Sequence, residues 1–239
     1  MKNKALSLAI VAMSATGAQA QGLEGLSFGV EYATYDDGLG FSVDTAEAWA
    51  DASFLITDRF GVQVGLGHMS EVGSSDPFLD FLHINAAELH GFWDVNDATR
   101  LGAVVAWDDY NDGDWLFAVE ATHVSGPLRL EGRLGRFDST FEPATLAELH
   151  GSYAVGPNTR LRAFARDVIY DGDFGHYGLV SIGVSHDIGE SLRLFADAGW
   201  HENDFGGGNV YNGNVFTVGL VLTPGGTRND RMFTYTPFY

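Results

Sequence analysis

From Phe28 to Leu222 the chain alternates apolar and polar residues with a period of two, segment after segment. That period limits the fold more than any other feature. Successive side chains on a strand point to opposite faces, so a segment of this kind is a strand with two unlike faces. Leu128-Arg129-Leu130-Glu131-Gly132-Arg133-Leu134 is the clearest case, with leucines on one side and Arg129, Glu131 and Arg133 on the other. On a helix its apolar residues would scatter around the axis.

The alternation recurs along the chain. Phe28, Val30 and Tyr32 oppose Gly29 and Glu31, and Ala48, Ala50, Ala52 and Phe54 oppose Glu47, Asp51 and Ser53. Phe60 to Leu66, Leu101 to Trp107 and Trp115 to Ala121 repeat it, as do Ala147 to Tyr153, Leu161 to Ala165, Val180 to Val184, Leu192 to Trp200 and Phe216 to Leu222. One further segment, Leu82 to Trp93, looks extended but has no clean apolar face. This makes about twelve strands, each near the length that a tilted strand needs to cross a bilayer. The connections alternate in length. Short ones, such as TDR at Thr57 and SGP at Ser125, alternate with longer ones, such as SEVGSSDPFLD at Ser70 and ENDFGGGNVYNGN at Glu202. An antiparallel meander with short turns at one end and long loops at the other has this form.

The first twenty residues read MKNKALSLAIVAMSATGAQA. Lys2 and Lys4 form a positive start, Ala5 to Met13 an apolar stretch, and Ala18-Gln19-Ala20 a small-residue cleavage site. The pattern predicts a secretory signal peptide over 1–20, to be set aside in reasoning about the fold. Both lysines lie in it, so every basic residue beyond it is an arginine, set against 32 acids. Nucleic acid, which needs a basic surface, is excluded as a partner. With no cysteine there is no disulfide framework and no thiolate metal site. Nor do the eight histidines fall into zinc-ligand spacing. DDYNDGD brings four carboxylates together. However, Tyr110 or Asp114 occupies a position that a calcium loop reserves for another residue type. No cofactor is expected.

Alternation alone leaves two orientations open, because a soluble barrel or sandwich puts the leucines inward. The export signal and the alternating loop lengths favour lipid outside. So do Trp107, Trp115, Tyr153 and Trp200 near the ends of the apolar faces, where an interfacial girdle sits. The chain also ends in aromatics, Phe233, Tyr235, Phe238 and Tyr239. With these features it resembles the Gram-negative outer-membrane β-barrels, in particular porin-like proteins. The resemblance is architectural and spans the chain beyond the signal. It implies an all-β transmembrane antiparallel meander barrel of about twelve strands over 21–223, exported to the outer membrane. It also implies insertion by the outer-membrane assembly machinery, lipid and lipopolysaccharide around the wall, and passive diffusion of small solutes or ions. Such barrels usually end on an aromatic in the last strand. Here the clean last strand stops near Thr223, and PGGTRNDRMFTYTPFY follows. The tail, 224–239, is then an extra strand, a periplasmic segment or an insert in the lumen.

With the leucines toward lipid, the polar faces line the lumen. Pairing strands across the turns places Glu120, Arg133, Glu148, Arg166, Ser181 and Asp197 at similar depth. Arg129, Arg160, Arg162 and Arg193 then lie further toward the periplasmic end. Together with Glu131 these residues form either a charged constriction, since guanidinium forks suit carboxylates, or a salt-bridge network that only stiffens the wall. A closed structural or adhesive barrel is the alternative to a channel. For catalysis, the nearest candidate is His68-Met69-Ser70-Glu71 at a loop mouth, which resembles the His-x-Ser element of lipid A deacylases. Glu71 stands where that family has Asn, and the spacing is unspecific. The sequence therefore assigns no catalytic residue, and a rim-active lipid A hydrolase remains only a further alternative. His83 and His90 fall on opposite faces of one strand.

Overall fold

The computed structural model describes residues 22–36, 42–74, 83–110, 113–139, 142–172, 175–204, 210–224 and 232–234. The signal peptide expected over 1–20 lies outside them. Twelve strands follow in chain order: β1 (Leu23–Asp36), β2 (Ser42–Leu55), β3 (Phe60–Ser74), β4 (His83–Asn96), β5 (Thr99–Asp108), β6 (Asp114–Ser125), β7 (Leu128–Asp138), β8 (Ala144–Ala154), β9 (Thr159–Tyr170), β10 (His176–Ile188), β11 (Leu192–Asp204) and β12 (Val210–Leu222). Each pairs with its sequence neighbours, and β1 pairs with β12, so the sheet closes into a barrel. Every pairing is antiparallel. Closure leaves no unpaired edge, which is what lets backbone stand in hydrocarbon.

At one end of the barrel the connections are two to four residues long. They are closed by local chemistry. Asn96 Oδ1 accepts hydrogen bonds from the N–H groups of Ala98 and Thr99, both at 2.9 Å. This is an Asx turn, in which the side chain takes the place of a backbone acceptor. Gly126 and Gly189 supply the left-handed conformations needed between β6 and β7 and between β10 and β11, with φ of 57° and 68°. This is the turn end. The opposite end carries the longer connections and is the loop end, which in such barrels faces the outside.

The wall is inside out relative to a soluble protein. Ile182, on the outer face, is 73% exposed, while Arg100, on the inner face, is fully buried. Leu134, Leu149, Leu161 and Val119 are exposed with it. Water does not tolerate so continuous an apolar surface, and hydrocarbon does. Of the two orientations the alternation allowed, the structure takes the one with leucines outward.

β4 explains the segment that lacked a clean face. Its inner side runs Ile84, Ala86, Glu88, His90, Phe92, Asp94, all buried. It is therefore apolar toward the loop end and charged toward the turn end, while the outer side begins with His83 and Asn85 and ends with Trp93. Each face changes character halfway, so neither reads as uniform. His83 is exposed and His90 buried, so the two do lie on opposite faces.

Candidate functional site

The expectation that the lumen face is polar throughout needs correction. In the loop-end half of β5 to β9, Val104, Ala106, Leu116, Ala118, Phe137, Ala144, Leu146 and Val168 point inward and pack as one buried cluster. Tyr170 and Tyr177 lie against it. Here the barrel contains a core of ordinary apolar packing.

Beneath that cluster, toward the turn end, charges take over. Glu120 pairs with Arg133, Arg133 with Glu148, and Glu148 with Arg166 in register across four strands. Arg166 Nε donates to Glu148 Oε1 at 2.8 Å, and Arg133 Nη2 donates to Glu120 Oε2 at 3.3 Å. Arg133 also stands 3.8 Å from Glu88 and 3.6 Å from Glu148. His90 bridges the set from β4, 2.6 Å from Glu120 and 3.0 Å from Glu88. All six side chains are buried. Such charges persist out of water only because each faces several opposite or hydrogen-bonding partners.

Ser181 and Asp197 fall outside this in-register row. Arg166 lies opposite Leu179, Ser181 opposite Phe164, and Asp197 level with Gly183 and Arg162. The stagger of a closed barrel shifts the register from strand to strand, and pairing across turns does not carry that shift through. Arg129, Arg160, Arg162 and Arg193 lie nearer the turn end than Arg133 and Arg166. Arg129 donates to Glu131 at 2.5 Å, and Arg193 to Asp187 at 2.8 Å.

A second ion cluster, which no local pattern announces, sits at the turn end. Arg100 donates to Asp94 at 2.8 Å and to Glu24 at 2.7 Å, its guanidinium 3.6 Å from the centre of the Phe92 ring. Glu24 and Arg100 are far apart in the chain, and only closure of the barrel brings them together.

Of the three options for the tail, residues 232–234 take the lumen insert. Gln63 Nε2 donates to the Phe233 carbonyl at 2.8 Å, and the Phe233 N–H donates back to Gln63 Oε1 at 3.0 Å. Thr234 donates through N–H and hydroxyl to the two oxygens of Glu131, and Arg129 donates to the Met232 carbonyl at 2.6 Å. The Phe233 ring is buried and stacks on His90, centroids 5.5 Å apart. Gly102 makes room for it, because a Cβ there would meet that ring at 2.8 Å.

The other side of the lumen, along β9 to β12 and β1 to β2, holds a cavity of about 330 Å³. Glu31, Asp51, Arg160, Arg162, Arg193 and Asp197 line it, and Phe233 closes part of one wall. Arg162 pairs with Asp197 at 3.2 Å, with its guanidinium 4.4 Å from the Phe195 ring centre.

On the outer face, Trp107 sits opposite Trp115, and Trp200 lies on β11 opposite Val180, all toward the loop end. Tyr153 lies at the turn end with Phe60 and Trp93, whose rings stack at 6.4 Å. These residues are the two belts expected where a bilayer meets water. Trp93 was missed because its strand lacked an apolar face. Trp49 instead points inward and lines the cavity.

A closed, inside-out, girdled barrel of twelve antiparallel strands defines an outer-membrane β-barrel. Comparison of folds agrees. The NanC porin superposes with a TM-score of 0.61 at 7% identity, covering 82% of this chain and 98% of that one. An outer membrane channel from Pseudomonas putida F1 gives 0.62 at 14% identity, over 86% and 97%. The KdgM porin in complex with disordered oligogalacturonate gives 0.53 at 10% identity, over 82% and 98%. At these identities the likeness is one of fold. No protein-family model and no curated protein matches the chain.

Proposed function

We propose that the barrel is a porin-like channel for passive diffusion of small hydrophilic solutes or ions. The observation that carries this reading is the asymmetry of the lumen. One half is packed shut, and the other keeps a polar cavity of about 330 Å³ walled by arginines and carboxylates. A barrel with a purely structural role has no need of such a space, because side chains can fill it. The two porins and the channel compared above share this fold, which supports the reading. In this reading Arg129, Arg160, Arg162, Arg166, Arg193 and Asp197 set the charge of the narrow passage, and Glu131 holds Arg129 at its edge. Glu120, Arg133 and Glu148 brace it from the packed side.

Liposome swelling with sugars of graded size tests the proposal. Rates that fall with sugar size support diffusion through a pore, and no swelling with any sugar replaces the channel by a closed structural or adhesive barrel. Planar-bilayer recording of Arg162→Ala and Arg166→Ala, both on the cavity wall, tests the constriction. Conductance and ion selectivity equal to those of the parent would leave these residues a bracing role only.

A further inference from the structure

Outside the lumen, on the lipid-facing side, four polar side chains converge at the loop end of β3 and β4. Ser70 Oγ lies 2.9 Å from His68 Nε2, and His68 Nδ1 lies 3.0 Å from Asn85 Oδ1. Asp109, just beyond β5, holds Asn85 by two bonds. Asn85 N–H donates to one carboxylate oxygen at 2.7 Å and Asn85 Nδ2–H to the other at 2.6 Å. The Asp109 N–H donates to the Asn85 carbonyl at 3.0 Å and fixes the pair further. From the other side, His83 Nδ1 approaches Ser70 Oγ at 3.0 Å.

The direction of this chain follows from what each group is able to donate. An ionised carboxylate only accepts, so the NH₂ of Asn85 faces Asp109 and its Oδ1 faces His68. A hydrogen bond there requires the proton on His68 Nδ1. The free lone pair of Nε2 is then aimed at the Ser70 hydroxyl, which donates to it. Ser70 Oγ in turn accepts from His83 Nδ1–H. Polar side chains at this height are ordinary, as the exposed Arg136–Asp171 ion pair on the outer face shows. A hydrogen-bond chain with a fixed direction that ends on a serine is not. A serine hydroxyl on the free nitrogen of a histidine, with that histidine oriented by a third group, is the arrangement that makes serine a nucleophile.

The surroundings indicate the substrate. The cluster sits near the height of the outer aromatic belt, since Ala87, two residues from Asn85, pairs with Trp107. That is the level at which the polar head of a lipid gives way to its chains. Beside it, the outer face of β2 carries a row of four alanines, Ala46, Ala48, Ala50 and Ala52, between Asp44 and Phe54. Ala46 lies opposite Ser70 and Ala48 opposite His68. Tyr32, Val30 and Phe28 stand on one flank of this row, and Leu66 and Val64 on the other. Four methyl side chains between larger ones leave a trough that runs from Ser70 into the hydrocarbon.

We infer that Ser70, His68 and Asn85 form a hydrolytic site on the outer rim of the barrel, with the carboxylic esters of outer-leaflet lipids as substrate and an acyl chain in the alanine trough. Ser70 Oγ attacks the ester carbonyl carbon while His68 Nε2 takes the hydroxyl proton. His83 Nδ1–H stands where it can donate to the oxyanion that forms beside Oγ. The tetrahedral adduct collapses, breaks the carbonyl carbon–alkoxy oxygen bond and expels the alcohol with the proton from His68. Water then attacks the acyl-serine, His68 taking its proton and returning it to Ser70 as the fatty acid leaves. Asn85 and Asp109 are positioning residues that hold the tautomer.

The test uses the full chain, refolded or extracted and checked for heat-modifiable gel mobility. It is presented with phosphatidylethanolamine in mixed micelles, with purified lipid A in mixed micelles, and with a lipophilic fluorophosphonate. Fatty-acid release is expected from one or both lipids, and the arm that responds names the source of the ester. Fluorophosphonate should label Ser70, as mapped by peptide mass spectrometry. Ser70→Ala and His68→Ala should lower release by about a thousandfold or more, the usual cost of losing a member of such a set. Asn85→Ala should slow labelling, and Asn85→Asp, which keeps an acceptor opposite Nδ1, should restore it. Ala48→Trp should block release from long-chain lipid while labelling by a short fluorophosphonate persists. A folded barrel that releases no fatty acid from either lipid and leaves Ser70 unlabelled overturns the inference. Release undiminished in Ser70→Ala does the same.

Discussion

The two sides of the lumen are built from the same strand geometry and do opposite things. From β4 to β9 the inward side chains meet one another, an apolar cluster above and an ion network below. From β9 round to β2 they meet a cavity. On the packed side Arg133 is buried among Glu88, Glu120 and Glu148. On the cavity side Arg162 has one carboxylate at 3.2 Å and stays about a third exposed. The same residue type is therefore a structural cation in one place and a solvated wall charge in the other. What decides is whether large inward partners from adjacent strands fill the space. The small side chains of Ser181, Ser185 and Thr217 line the cavity from β10 and β12, whereas β4 to β8 present Phe92, Leu116, Phe137 and Leu146.

Arg133→Ala should give the largest effect. It removes the common partner of three buried carboxylates and leaves Glu88 and Glu120 to His90 alone and Glu148 to Arg166. Breaking a buried charge set in this way costs about 3–5 kcal/mol. The melting of the folded form, read from gel mobility against temperature, should fall sharply. If the midpoint were unchanged, the packed side would not be held by its ion network, and the contrast between the two sides would fail.

Phe233→Ala acts next, and on the boundary between the sides. Truncating a buried phenylalanine costs about 3 kcal/mol, roughly a hundredfold in an equilibrium. That loss falls on docking of the tail and leaves the barrel standing, because the twelve strands close without it. The tail should become sensitive to added protease in the folded protein, and the lumen should widen where Phe233 now walls the cavity. Gly102→Val, which places atoms where the ring lies, should reproduce both changes. A tail still protected in both variants would show that Gln63, Glu131 and Arg129 hold it without the ring.

These contrasts were unequally legible in the sequence. Away from β4 and the polar loop-end rim, the outer face could be read residue by residue, because hydrocarbon asks the same thing of every position it covers. Leu128, Leu130 and Leu134 needed no partner to be placed. The apolar cluster also left a trace. Trp115-Leu116-Phe117-Ala118-Val119 and Ala103-Val104-Val105-Ala106-Trp107 are continuous apolar runs, which mark strands buried on both faces. Within the lumen, residue types were visible but partners were not. Glu120, Arg133, Glu148 and Arg166 could be aligned across short turns, yet the stagger displaced Ser181 and Asp197. Arg100 with Glu24, and Gln63 with Phe233, depend on contacts across the closed barrel, and no local pattern encodes those. The same limit hid the rim site. His68 and Ser70 are two residues apart, but Asn85 and Asp109 join them only through the register of β3, β4 and β5.

The smallest effect on stability should come from Arg162→Ala, and it sharpens the comparison most. Arg162 pairs with Asp197 where water reaches both, and a pair of this kind contributes about 0–1 kcal/mol. The melting midpoint should therefore stay near that of the parent, in contrast to Arg133→Ala. The field in the cavity changes by a full charge, with Asp197, Glu31 and Asp51 left in the wall. In a narrow space with low-dielectric walls an unbalanced charge acts on every passing ion. Reversal potentials across a salt gradient should shift toward cations, and Asp197→Asn should shift them the other way. The shifts should shrink as salt rises and the Debye length shortens. A variant that lost stability like Arg133→Ala and kept its selectivity would make Arg162 another bracing cation, and the two sides of the lumen would then differ in packing alone.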